Sequence, residues 1–144
     1  MRRVFALLLL LPFGLARRAS AQTTEAVLTG FRAPSGNIFC QAFAIGPERV
    51  TELRCDLLRN EAPRVRRPAD CEQEYGNAFS LQSRGRPTRL CVGDTVADPA
   101  LPILAYGGRW TEPGVSCELS SARLRCVNGD GHTLELSRRR QRLR

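Results

Sequence analysis

Six cysteines hold most of the chemistry this chain has to offer: Cys40, Cys55, Cys71, Cys91, Cys117 and Cys126. Cysteine ligates metals, attacks electrophiles or cross-links. Zinc sites use closely spaced cysteine pairs, commonly backed by histidine. No two cysteines here are that close, and His132 is the only histidine, so neither a metal nor any other cofactor is expected. A catalytic thiol needs an unpaired cysteine in surroundings that favour the thiolate. An even set in a small exported chain reads instead as a disulfide framework. Neighbours in sequence are the expected partners, giving Cys40–Cys55, Cys71–Cys91 and Cys117–Cys126. Cys117 and Cys126 lie on the arms of one short hairpin, and Cys40 and Cys55 on those of a longer one. That relation brings Cα atoms into bridging range. The remaining pair ties an Arg/Pro-rich loop to a strand.

Other residues could act only in company. His132 follows a glycine-rich turn and would serve as a general base beside Asp94 or Asp130; the plainer reading is a turn-edge histidine bonded to backbone. Asp94 with Asp98, or Glu72 with Glu74, would form a carboxylate pair of the glycosidase kind, although Asp94 between Gly93 and Thr95 suits a turn cap. Ser35 in Pro34-Ser35-Gly36-Asn37 lacks the strand–turn–helix setting of a nucleophile elbow. Phosphate loops, dinucleotide fingerprints and calcium loops have no match. No catalytic residue is assigned. Tyr106-Gly107-Gly108-Arg109-Trp110 sets two aromatics and an arginine around a flexible turn, a combination common at binding surfaces. Tyr106, Arg109 and Trp110 are therefore the expected binding surface, weighed against plain core plus turn.

The first residues set the compartment. Arg2-Arg3, an apolar run from Val4 to Leu15 and the small-residue site Ala19-Ser20-Ala21 have the layout of a signal peptide. The run is too short to span a bilayer, which takes roughly 20 apolar residues. Residues 1–21 are expected to leave, and the general secretory route is favoured over the twin-arginine route because disulfides form after export. Periplasmic or secreted localisation follows, with no transmembrane segment. The formal charge of +8 comes from 22 arginines, no lysine and 14 acids. Without the four leader arginines the balance is +4, and five of the remaining arginines crowd residues 138–144. The body 22–137 is then close to neutral, which is not the footprint of a nucleic-acid-binding face. Residues 138–144 read as a basic C-terminal tail, solvated or in weak contact with an anionic surface. The absence of lysine, with the leader, suggests a bacterial source of high GC content.

Short alternating runs punctuated by Gly, Pro, Asn and Asp dominate what remains, and no helical period is sustained. Strands are expected over 27–32, 38–43, 50–56, 78–82, 88–92, 101–106, 115–119, 123–127 and 132–137, with a helical turn over 96–100. Asn128-Gly129 is a strong hairpin signal. Residues 60–70, rich in Arg and Pro, are expected to be a surface loop or an extended crossing. The fold class is all-β: one small antiparallel sandwich or barrel of about six to nine strands stapled by three disulfides, spanning 22–137.

Pro34-Ser35-Gly36-Asn37-Ile38-Phe39-Cys40 resembles the opening of a family of small exported bacterial proteins known only as a domain of unknown function. The resemblance continues through Pro68-Ala69-Asp70-Cys71, Tyr75-Gly76-Asn77, Cys91-Val92-Gly93-Asp94-Thr95 and Leu104-Ala105-Tyr106-Gly107. It closes on Cys126-Val127-Asn128, Gly131-His132 and Ser137-Arg138. Where that family usually has Gly-His-Gly-Phe, this chain has Gly131-His132-Thr133-Leu134; if the second glycine serves a backbone turn or a close contact, the last strand here differs. The resemblance implies compartment and architecture but no activity. The expected function is a non-enzymatic periplasmic or secreted module that binds an envelope or extracellular partner. The alternatives are a small envelope hydrolase using carboxylates or His132, and a secreted enzyme inhibitor.

Overall fold

The computed structural model describes residues 26–144; the expected leader, residues 1–21, lies outside them. Ten strands form two antiparallel five-stranded sheets. The first sheet follows chain order: β1 (Ala26–Arg32), β2 (Ile38–Ile45), β3 (Val50–Leu57), β4 (Glu74–Gln82) and β5 (Thr88–Val92). The second does too: β6 (Arg109–Glu112), β7 (Val115–Leu119), β8 (Leu124–Asn128), β9 (Thr133–Leu136) and β10 (Gln141–Leu143). Each sheet is thus a meander, which needs only short local turns, and one crossing segment, 93–108, joins them.

Alternation decides which faces meet. In β2, Ile38, Cys40, Ala42 and Ala44 are buried while Gln41, Phe43 and Ile45 are half-exposed. Leu53, Cys55 and Leu57 do the same in β3, Val115, Cys117 and Leu119 in β7, and Leu124 and Cys126 in β8. These inward faces, with Phe31, Phe79, Leu81, Leu134 and Leu136, form one apolar cluster between the sheets. The architecture is therefore a sandwich with a single core.

All six cysteines are bonded, as Cys40–Cys55, Cys71–Cys91 and Cys117–Cys126. Cys40 stands directly opposite Cys55 in the β2–β3 ladder, and Cys117 opposite Cys126 in β7–β8. Each sheet so carries one cross-strand bridge on its inner face, fully buried in the shared core. The third bridge joins loop residue Cys71 to edge strand β5.

Four expectations about the elements are corrected. There are ten strands rather than six to nine. Residues 101–106 are not a strand: Ile103 makes one parallel bridge to Arg32, held by Arg32 N to Pro102 O (2.9 Å) and Leu104 N to Arg32 O (2.9 Å). Pro102 has no N–H to extend a ladder. Residues 96–100 form no helix; Asp98 O accepts from Leu101 N at 3.1 Å in a tight turn. The unforeseen strand β6 is folded back by Pro113-Gly114, where Gly114 takes φ +78°, a region that favours glycine. Residues 138–144, read from sequence as a tail, form the β9–β10 turn and strand β10, with Leu143 packed against the core.

Candidate functional site

The two ends of the sandwich differ. At one end the sheets are hydrogen-bonded together. Asn128, which is 6% exposed, donates Nδ2 to Gln82 O (3.0 Å) and Gly85 O (2.7 Å) across the gap. Its Oδ1 accepts from Asp130 N (3.2 Å) and His132 N (3.0 Å) in its own turn. Gly129 N donates to Ser83 O (3.0 Å), and Gly85 N to Asp130 Oδ2 (2.9 Å). One lateral edge is fastened as well: Trp110 Nε1 donates to Thr29 Oγ1 (3.1 Å), and Thr29 Oγ1 donates to Glu112 Oε1 (2.6 Å). These bonds link edge strand β1 to edge strand β6.

The opposite end opens into a cleft of about 490 Å³. Three turns and the end of the crossing segment build it. In the β1–β2 turn, Gly36 takes φ +66° and donates to Ala33 O (3.0 Å). Asn37 ties this turn to the chain leaving β3: its Nδ2 donates to Arg59 O (3.1 Å) and its Oδ1 accepts from Arg59 N (2.7 Å). That clamp holds Leu58 and Arg59 at the mouth. The β7–β8 and β9–β10 turns share one device, Ser-x-x-Arg. Ser120 N donates to Arg123 O (2.9 Å) while Ser120 Oγ accepts from Arg123 N (3.1 Å). Ser137 N donates to Arg140 O (2.8 Å) while Ser137 Oγ accepts from Arg140 N (3.0 Å). Gly107 N to Leu119 O (2.7 Å) sets Tyr106 beside the β7–β8 turn.

Charge and apolar surface are both concentrated here. Arg59, Arg123, Arg138 and Arg139 line the cleft, and among the described residues no carboxylate does. Leu58 and Tyr106, 55% and 50% exposed, stand in the wall, and the buried core residues Ile38, Leu119 and Leu136 lie beneath the floor. Acids reach these arginines only from outside it. Glu61 approaches Arg138 Nε (3.2 Å) and Arg139 Nε (3.5 Å), and Glu135 lies 3.8 Å from Arg123 Nε. Glu61 N also donates to Arg138 O (2.7 Å), anchoring the loop after β3 to the β9–β10 turn.

A second polar cluster fastens the crossing segment to the outer face of the first sheet. The guanidinium of Arg54 forks onto Asp56, Nε to Oδ1 at 3.0 Å and Nη2 to Oδ2 at 3.1 Å. It also reaches Asp94, Nη1 to Oδ1 at 2.8 Å and Nη2 to the backbone O at 2.8 Å. Asp56, 5% exposed, accepts further from Thr95 Oγ1 (2.9 Å) and Val96 N (3.0 Å). Burial works against the charge on Arg54, but its hydrogen bonds to Asp56 and Asp94 outweigh that and raise its pKa. The hydrogen bond from Arg54, then its charge, hold the Asp94 carboxyl below the usual carboxylate range. Arg54 and Asp56 are satisfied chiefly by one another and by the crossing segment, so the cluster reads as a structural clamp.

The DUF6636 family model, that of a family of unknown function, matches residues 6–144. The chain belongs to this family. No curated protein and no solved structure matches it.

In this DUF6636 member the residues singled out from sequence are dispersed. Tyr106 lines the cleft. Arg109 pairs with Glu118 on the exposed face of β6 and β7. Trp110 packs on Phe31, ring centroids 5.2 Å apart, at the margin of the core. Asp94 is held by Arg54, Asp130 accepts from Gly85, and the His132 backbone bonds to Asn128; none of the three lines the cleft. Ser35 does line it, and its Oγ accepts from Asn37 N at 3.4 Å as a turn serine does. Arg138 and Arg139 belong to the arginine run for which weak contact with an anionic surface was expected; Leu58, Arg59 and Arg123 were not singled out, and no local pattern marks them.

Proposed function

We propose that this DUF6636 member is an exported, non-enzymatic binding module whose ligand site is the open end of the sandwich. The observation that carries the reading is the contrast between the ends: one is closed by the bonds of Asn128, and the other leaves a cleft of about 490 Å³ with arginines and apolar side chains in its wall. That volume lies in the range of small-molecule sites, roughly 300–1,000 Å³. Three segments that carry the family resemblance, Ser35–Ile38, Tyr106 and Ser137–Arg138, line this one cleft despite their separation in sequence. Export is supported by three disulfides with no free cysteine among the described residues, a state that oxidising compartments maintain. The sequence candidates for acid–base chemistry, Asp94, Asp98, Glu72, Glu74 and His132, all lie outside the cleft, which favours binding over hydrolysis there.

The test is a plugged cleft. Ser121 is exposed in the wall, so Ser121→Trp fills space without disturbing the core. Thermal-shift screening of a small-molecule set should find ligands that stabilise the wild type and not this variant, with identical circular dichroism. Ligands that stabilise both equally would place binding elsewhere and refute the reading.

A further inference from the structure

The lining of the cleft narrows the chemistry of its occupant. Four arginines face it and no described carboxylate is among the lining residues; Glu61 and Glu135 approach three of the four from outside, which leaves the mouth net basic for an anion. Arg59 has no ion-pair partner among the described residues. Arg138 and Arg139 share the single carboxylate of Glu61, at 3.2 and 3.5 Å from their Nε atoms. The protein's own Glu61 carboxylate, one oxygen toward each Nε, shows what kind of group these side chains take. Backbone donors are scarce by comparison. The N–H groups of Gly36, Arg123 and Arg140 are already spent inside their turns, so the cleft is no backbone nest of the phosphate-binding kind. The other half of the lining is apolar. Leu58 and Tyr106 are two of the five large hydrophobic side chains that stand out as exposed among the described residues, and both belong to this wall.

From this lining we propose that the cleft takes a small amphiphilic carboxylate, its head on Arg59 and Arg123 and its apolar body along Leu58 and Tyr106. The proposal rests on the cleft being the ligand site. It does not need the Glu61 contacts to break, because Arg59 and Arg123 make no ion pair with Glu61, and Arg123 meets Glu135 only at 3.8 Å.

The probes are octanoate, octanol and octylamine, titrated into ¹⁵N-labelled protein spanning residues 22–144 and followed by amide shifts. Octanoate should move the amides of Ser35–Asn37, Ser120–Arg123 and Ser137–Arg139 at millimolar concentration, with octanol at least tenfold weaker and octylamine without effect. The Arg59→Gln/Arg123→Gln double variant should weaken octanoate at least tenfold while retaining the wild-type spectrum elsewhere. Leu58→Ser should weaken it severalfold. Octanol matching octanoate at the same amides would overturn the carboxylate assignment and leave the cleft reading standing. An unchanged octanoate affinity in the arginine variant, or no shift at the cleft with any probe, would overturn the proposal. Octyl phosphate binding tenfold tighter than octanoate would overturn it in favour of a phosphate head.

Discussion

Replacing Asn128 by alanine tests whether the closed end is what holds the two sheets in register. The side chain makes four hydrogen bonds: two donated to the first sheet's β4–β5 loop and two accepted from its own turn. A net contribution of about 1 kcal/mol per bond would total about 4 kcal/mol. Gly85 and Asp130 are exposed, so water replaces part of what their groups lose, and about 2–3 kcal/mol is expected. The assay is urea unfolding with disulfides intact, followed by fluorescence of Trp110, the single tryptophan, whose contact with Phe31 reports on the meeting of the sheets. The midpoint should fall with the slope unchanged. Asn128→Asp is the sharper variant. It keeps the acceptor for Asp130 and His132 but turns a carboxylate toward the carbonyls of Gln82 and Gly85, so it should lose at least as much as alanine. A loss below about 0.5 kcal/mol for alanine, or a wild-type midpoint for aspartate, would refute the role given to this end.

Other consequences are equally direct. Trp110→Ala removes a half-buried ring from Phe31 and should cost about 2–3 kcal/mol, below the range for fully buried tryptophan, with no change in binding at the cleft. Replacing Cys71 and Cys91 by alanine removes a bridge of sequence separation 20, about 3 kcal/mol by loop entropy; because it frees one end of the exposed 63–70 segment, trypsin should cut after Arg64 and Arg66 much faster than in the wild type. Because the Asp94 carboxyl is held below the usual carboxylate range in the fold, its contact with Arg54 stabilises above the unfolded-state pKa and is lost as pH falls through the folded value. Asp94→Asn should therefore be less stable than the wild type at neutral pH, with the gap closing on acidification; the effect is small because the carboxylate is 77% exposed. A gap that widens in acid would contradict the clamp.

Local signals account for most of what the sequence made legible. The alternation of Ile38, Cys40 and Ala42 and the Asn128–Gly131 turn specify hairpins on their own, and the fold followed from counting hairpins. Where signals were read too simply, the elements came out differently. Leu101–Tyr106 is apolar enough for a strand, but Pro102 and the need to cross between sheets make it a connector with one bridge. Arg109–Glu112 is too polar to look like a strand until Pro113-Gly114 folds it against β7. The arginines of 138–144 masked the alternation by which Leu143 reaches the core. The cleft was the least legible feature, for a geometric reason. Its arginines come from positions 59, 123, 138 and 139, and only the stacking of two meanders brings those turns to one end. Arg109 and Trp110, adjacent to Tyr106 in sequence, go to other surfaces because β6 turns them into a strand.

The central claim is that the open end is where this protein binds. The most direct measurement is amide-shift mapping of a chemically mixed fragment set on ¹⁵N-labelled protein spanning residues 22–144. Shifts should gather on the turns Ser35–Asn37, Ser120–Arg123 and Ser137–Arg139, and anionic fragments should outnumber cationic ones among the binders. Shifts gathering instead on the 63–70 loop or around Asp94 and His132, with the three turns silent, would contradict it.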